Sequence, residues 1–105
     1  MKIAVATQTK KEDAAISTQA GKSPFYIMFN ENGDVLETMK NPFSVGGGGA
    51  GFGVAKMLGD KGVTHVAGGK FGSNMTGALK ERSIQVYEME GTAKDAVSRI
   101  RQENL

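Results

Sequence analysis

The chain has no cysteine, no tryptophan, one histidine and two prolines. Without thiolates there is no disulfide, no thiolate-bound zinc and no cysteine-ligated iron–sulfur cluster. The absence of cysteine leaves the redox compartment open. No apolar run approaches the ~20 residues that a membrane helix needs. The opening MKIAVATQTKKEDAA is too short in its apolar run, and too soon charged, for a signal peptide. A cytoplasmic protein with no membrane association is expected.

Charge of one sign is also scarce. Thirteen lysines and arginines face eleven aspartates and glutamates, a net charge of +2. The basic residues are scattered, with Lys10-Lys11 the one adjacent pair. The aromatics are not interleaved with basic clusters, so nothing points to nucleic acid. Catalytic groups are thin as well. A single histidine, His65, begins an apolar strand and reads as structural. KIAVATQ carries no Asp or Glu, where a two-metal nuclease would gather carboxylates. The other carboxylates fall in turns and on polar helix faces. A non-enzymatic protein is expected.

What is present is a regular alternation of elements. The 105 residues suit one domain, 1–105, with one modest core. KIAVA (2–6) reads as a buried strand. A long polar loop follows, with a helical turn expected near Asp13–Ile16. PFYIMFN (24–30) and VLETMK (35–40) are strands joined by ENGD, whose Asn-Gly suggests a type I′ turn. From Ala50 the sequence turns helical, with Ala50, Val54 and Leu58 on one face. Gly62 ends that helix. THVAG (64–68) is a strand, NMTGALKERS (74–83) a helix capped by Ser73, and IQVYEME (84–90) a strand. Thr92 and Asp95 form a capping box that opens the last helix. The order is βββαβαβα. The expected fold is α/β: a five-stranded mixed sheet, order 3-2-1-4-5, with one antiparallel strand and helices on its faces.

Glycine is abundant where proline and cysteine are not. SVGGGGAGFG (44–53) holds six glycines in ten positions. A linker makes little sense inside one small domain. The run leads into a helix, whose first N–H groups and partial positive charge attract anions. It is not a P-loop, because no Gly-Lys-Ser/Thr follows. It matches GxGxxG only formally, with no acidic residue about 20 positions on to bind a ribose. A second loop, AGGKFGSN (67–74), also joins a strand to a helix. Both can converge at the carboxyl end of the sheet, with Lys70, Lys22 and Lys10 or Lys11 adding positive charge. The alternative is that the glycines serve only turns and close helix packing. The six methionines read as core filler rather than copper ligands. Met75, beside the second loop, is the one placed to do otherwise.

Three stretches, MKIAVAT, GKSPFYIMF and GGAGFGVAKMLGDKGVTHVAGGKFGSNMTGALKERSIQVYEMEGTAKDAV, resemble the dinitrogenase iron–molybdenum cofactor biosynthesis family. This family includes the NifX-like proteins and the C-terminal domain of NifB. The resemblance covers nearly the whole chain, and its last stretch is the most specific. It implies a ribonuclease H-like fold and the carrying of metal–sulfur clusters rather than catalysis. Family members often have His-Phe-Gly-Arg where Gln19-Ala20-Gly21-Lys22 stands, and a histidine where Gly48 or Gly49 stands. The chain therefore lacks the side-chain ligands and is similar to the orange-protein branch, which holds its cluster non-covalently. The implied cargo is an anionic molybdenum–copper sulfide or iron–molybdenum–sulfur cluster. The residues implied to bind it are Ala20, Lys22, Gly46, Gly47, Gly48, Gly49, Ala50, Gly51, Phe52, Lys70, Phe71, Gly72, Ser73, Asn74 and Met75, with no side-chain metal ligand. Gly46–Gly49 are expected to be mobile without it. Cluster-donor or acceptor proteins are the implied partners, and a monomer or weak dimer the implied state. A metal-free interaction module and a nucleotide- or phosphate-ester-binding enzyme are the competing readings.

Overall fold

The computed structural model describes residues 1–45 and 49–105. Its elements are β1 (Lys2–Thr7), β2 (Phe25–Asn30), β3 (Val35–Lys40), α1 (Ala50–Asp60), β4 (His65–Gly68), α2 (Ser73–Glu81), β5 (Gln85–Glu88) and α3 (Ala93–Glu103). The sheet order is β3-β2-β1-β4-β5. β2 runs antiparallel to both β1 and β3, while β1, β4 and β5 are mutually parallel. The expected order and the single reversed strand are both observed.

The central strand explains the layering. In β1, Ala4 and Ala6 point to one face and Ile3 and Val5 to the other, and all four are fully buried. A strand covered on both sides is apolar throughout rather than alternating. Ala4 and Ala6 lie under α1 and α2, in a core that includes Val54, Leu58, Met75 and Leu79. Ile3 and Val5 lie under α3, with Ile27, Phe29, Val97 and Ile100. The parallel strands bring the carboxyl ends of β1, β4 and β5 to one edge, where α1 and α2 begin.

Several local expectations are corrected. The β2–β3 connection is not a type I′ turn, since Gly33 (φ 85°) is its one residue with positive φ. Asn30 Oδ1 accepts the amides of Asn32 and Asp34 at 2.9 and 3.0 Å. That grip sets the four-residue connection 31–34, with Gly33 in its left-handed position. No helical turn forms at Asp13–Ile16. Ile16 instead bridges to Thr7, and Ala15 to Thr92, because the Ile16 side chain joins the apolar cluster under α3. Ser73 is the first residue of α2, not its cap. The cap position is Gly72, and no side chain caps that helix. The box on α3 forms as expected: Thr92 Oγ1 accepts the Asp95 amide and Asp95 Oδ2 the Thr92 amide. His65 is buried, with Nδ1 2.7 Å from Thr64 Oγ1 and Nε2 3.2 Å from Asn104 Oδ1. Its ring is committed to the fold.

Candidate ligand cleft

Three chain segments meet at the carboxyl edge of the sheet: the loop around Gln19–Lys22, the start of α1, and the β4–α2 loop with the first turn of α2. They enclose a cleft of about 500 Å³, within the range of small-ligand sites. Of the residues expected to bind a cluster, Lys22, Gly49, Ala50, Gly51, Phe52, Lys70, Phe71, Gly72, Ser73, Asn74 and Met75 line it. Gln19 and Gly21 line it too and were missed. They sit in the same tetrapeptide as Lys22, so the signal was present but was read only for its lost ligands. Ala20 is fully buried and does not line the cleft. Its peptide groups work instead: its N–H donates to the Lys70 carbonyl at 2.9 Å, and its carbonyl accepts the Tyr26 hydroxyl. Gly46, Gly47 and Gly48, and most of the expected mobility of Gly46–Gly49, lie outside the described residues. Lys10 and Lys11 do not line the cleft. The Lys10 ammonium lies over the Phe25 ring, 5.6 Å from its centroid.

Close packing accounts for part of the glycine content. A Cβ on Gly51 would lie 2.8 Å from Met75 Cβ, so α1 and α2 touch at their first turns. A Cβ on Gly69 would lie 2.6 Å from Thr18 Cα, and the Gly69 N–H donates to the Ser17 carbonyl at 2.8 Å. Gly49 and Gly72 differ, because a Cβ on either would meet nothing within 4 Å. Gly49 does require its left-handed backbone (φ 94°), which a side chain disfavours.

The polar character of the cleft comes from the helix-start backbone, from Lys22 and Lys70, and from Gln19, Ser73 and Asn74. Neither α1 nor α2 has a side-chain cap or an acidic residue in its first turn. Helix starts of this kind leave their first N–H groups without an intrahelical partner and carry partial positive charge. Lys22 and Lys70 add full charges. Phe52, Phe71, Ala50 and Met75 supply its apolar surface.

Supporting contacts hold this arrangement from outside. Asn41, almost fully buried, donates from Nδ2 to the Gly21 carbonyl and accepts the Phe43 amide on Oδ1, each at 3.0 Å. It ties the segment before α1 to the β1–β2 loop. Burial pushes the Tyr26 phenol far above its ordinary range, so it stays a donor to Ala20. Among the described residues, no group of three or more His, Cys, Asp or Glu side chains gathers to hold a metal ion.

Fold and cleft together define an α/β domain with two uncapped helix starts turned on one mixed apolar and cationic site. The chain matches the family described as dinitrogenase iron-molybdenum cofactor over residues 1–103, and it belongs to that family. The apo form of the orange protein from Desulfovibrio gigas is similar in structure, with TM-score 0.90 and 23% identity over 97% of this chain and 88% of that one. A candidate NifB protein from Thermotoga is similar at TM-score 0.81 and 24% identity, over 96% of this chain and 87% of that one. A candidate dinitrogenase from Methanocaldococcus jannaschii gives TM-score 0.67 and 16% identity, over 100% and 91% of the two chains. These likenesses concern the fold. Comparison with curated protein sequences finds no match.

Proposed function

We propose that the chain is a non-enzymatic carrier of an anionic metal–sulfur cluster, held without covalent ligation in the cleft. One contrast carries the reading. α3, away from the cleft, has a complete capping box, whereas α1 and α2 begin at the cleft with none. An anion seated there would accept from N–H groups that the fold otherwise leaves to water. Lys22 and Lys70 would neutralise its charge. Among the described residues the cleft lining has no thiolate, imidazole or carboxylate, so a cargo bringing its own sulfide ligands fits better than a bare cation. Family membership supports a cofactor-related cargo. Of the two cargoes that the sequence resemblance implies, a molybdenum–copper sulfide and an iron–molybdenum–sulfur cluster, we take the first as the one to test, and cluster-donor or acceptor proteins would be the partners.

The test is to titrate the protein with tetrathiomolybdate and copper(I). A new visible absorption band is expected, with NMR shifts in the amides of residues 49–52 and 70–75. No band, together with unshifted amides, overturns the carrier reading. A partner pull-down indifferent to metal depletion would then favour a metal-free interaction module.

A further inference from the structure

Glu88 ends β5 and is in register with Gly68 of β4. Its carboxylate Oε2 accepts the Phe71 backbone N–H at 3.0 Å. Phe71 and Lys70 line the cleft, so Glu88 bonds directly to the loop that forms one wall. On its other side the same loop is fastened by Gly69 N–H to the Ser17 carbonyl and by Ala20 N–H to the Lys70 carbonyl. The loop is thus clamped between the β1–β2 loop and the end of β5. A carboxylate acceptor makes the Glu88 bond stronger than a neutral one.

The same carboxylate works against an anion. Glu88 does not itself line the cleft, but it sets a negative charge against the backbone of Phe71, which does. Among the described residues the ion pairs are Met1–Glu31, Lys56–Asp60, Lys61–Glu37 and Arg99–Glu103, and none of them includes Glu88. A site selected only for tight anion binding would have a neutral acceptor here. We propose that Glu88 is a positioning residue with a second effect: it fixes the Gly69–Gly72 loop and lowers the affinity for anionic cargo so that the cargo can be passed on. The second effect rests on the carrier reading, and the first does not.

The experiment uses full-length Glu88→Gln and Glu88→Ala, with Glu90→Gln as a control for charge at the same end of the sheet. Two quantities are read: amide exchange at Phe71 without ligand, and the affinity for tetrathiomolybdate. Glu88→Ala is expected to speed Phe71 exchange at least tenfold, and Glu88→Gln to restore most of the protection. Unchanged exchange in Glu88→Ala overturns the clamp. Glu88→Gln is expected to bind tetrathiomolybdate roughly two- to fivefold more tightly, the scale of removing one nearby charge in a wet site, and less so at high salt. Equal or weaker binding, or an equal gain from Glu90→Gln, overturns the charge effect. If the unsubstituted chain binds no tetrathiomolybdate, the carrier reading and the charge effect fall together, while the exchange result decides the clamp.

Discussion

Gly51 and Met75 approach so closely that the Cβ, Cα and N atoms of Met75 lie 2.8, 3.3 and 3.3 Å from where a Gly51 Cβ would stand. The contact joins the first turns of α1 and α2 at the cleft. Backbone atoms cannot swing aside as a side-chain tip can, so Gly51→Ala must separate the helices. Overpacking of this kind costs about 1–3 kcal/mol, offset by up to about 1 kcal/mol of better helix propensity. A net loss of about 1–2 kcal/mol is expected in urea denaturation. Gly77, inside α2, is the matched control, because a Cβ there meets nothing within 4 Å. Gly77→Ala should stabilise by about 0.5–1 kcal/mol.

Tyr26 gives a signature at alkaline pH. It is fully buried, and desolvation holds its pKa well above the ordinary 10.0. Above pH 10 the unfolded chain loses this proton and the folded chain keeps it. The folded state then binds more protons, so stability falls as pH rises. Each such group contributes up to about 1.4 kcal/mol per pH unit. Denaturation of the parent chain and of Tyr26→Phe between pH 9 and 11 should show the steeper loss in the parent. Parallel curves would contradict the assignment.

The capping contrast can be measured directly. Thr92→Ala removes half of a formed box on α3 and should cost about 1 kcal/mol. Ser73→Ala removes no cap from α2 and should stay within about 0.5 kcal/mol. Both are read from denaturation midpoints without ligand.

Ser83 follows α2 with φ 58°, a left-handed conformation adopted by no other non-glycine residue described. Its N–H donates to the Lys80 carbonyl at 3.0 Å and the Ile84 N–H to the Leu79 carbonyl at 3.0 Å. Glycine is the usual residue at such a helix end. Ser83→Gly should raise stability by about 0.5–1 kcal/mol, a small increase in melting temperature.

The parts of the fold legible in the sequence were those fixed by pattern. Ile3–Ala6 are apolar without alternation because β1 is covered on both faces, and the later alternation of strand and helix dictates parallel crossovers. Thr92 and Asp95 declared their box by spacing alone. Other details depended on partners distant in sequence. Ile16 left its local turn because α3 offers it a core. The β2–β3 connection followed the Asn30 side chain rather than the Asn-Gly dipeptide. Ser73 has the side chain of a cap, but the helix starts one residue earlier than its polar pattern suggests and puts Gly72 in the cap position. In the cleft, the lysines and glycine loops were visible as composition. Gln19 and Gly21 were hidden because their tetrapeptide was judged by a motif it lacks. Glu88 and Asn41 act on backbone groups across the fold, and no spacing rule reveals that.

The three walls of the cleft come from parts of the chain far apart in sequence, the first near Gln19 and the last near Met75. A guest gripping all three would close two long loops at once, as a cross-link does. For a chain without cysteine, such a guest would be a removable staple. Saturation at 100 times Kd would add about 2.7 kcal/mol to the folded state, and handing the guest on would return the protein to its less stable form.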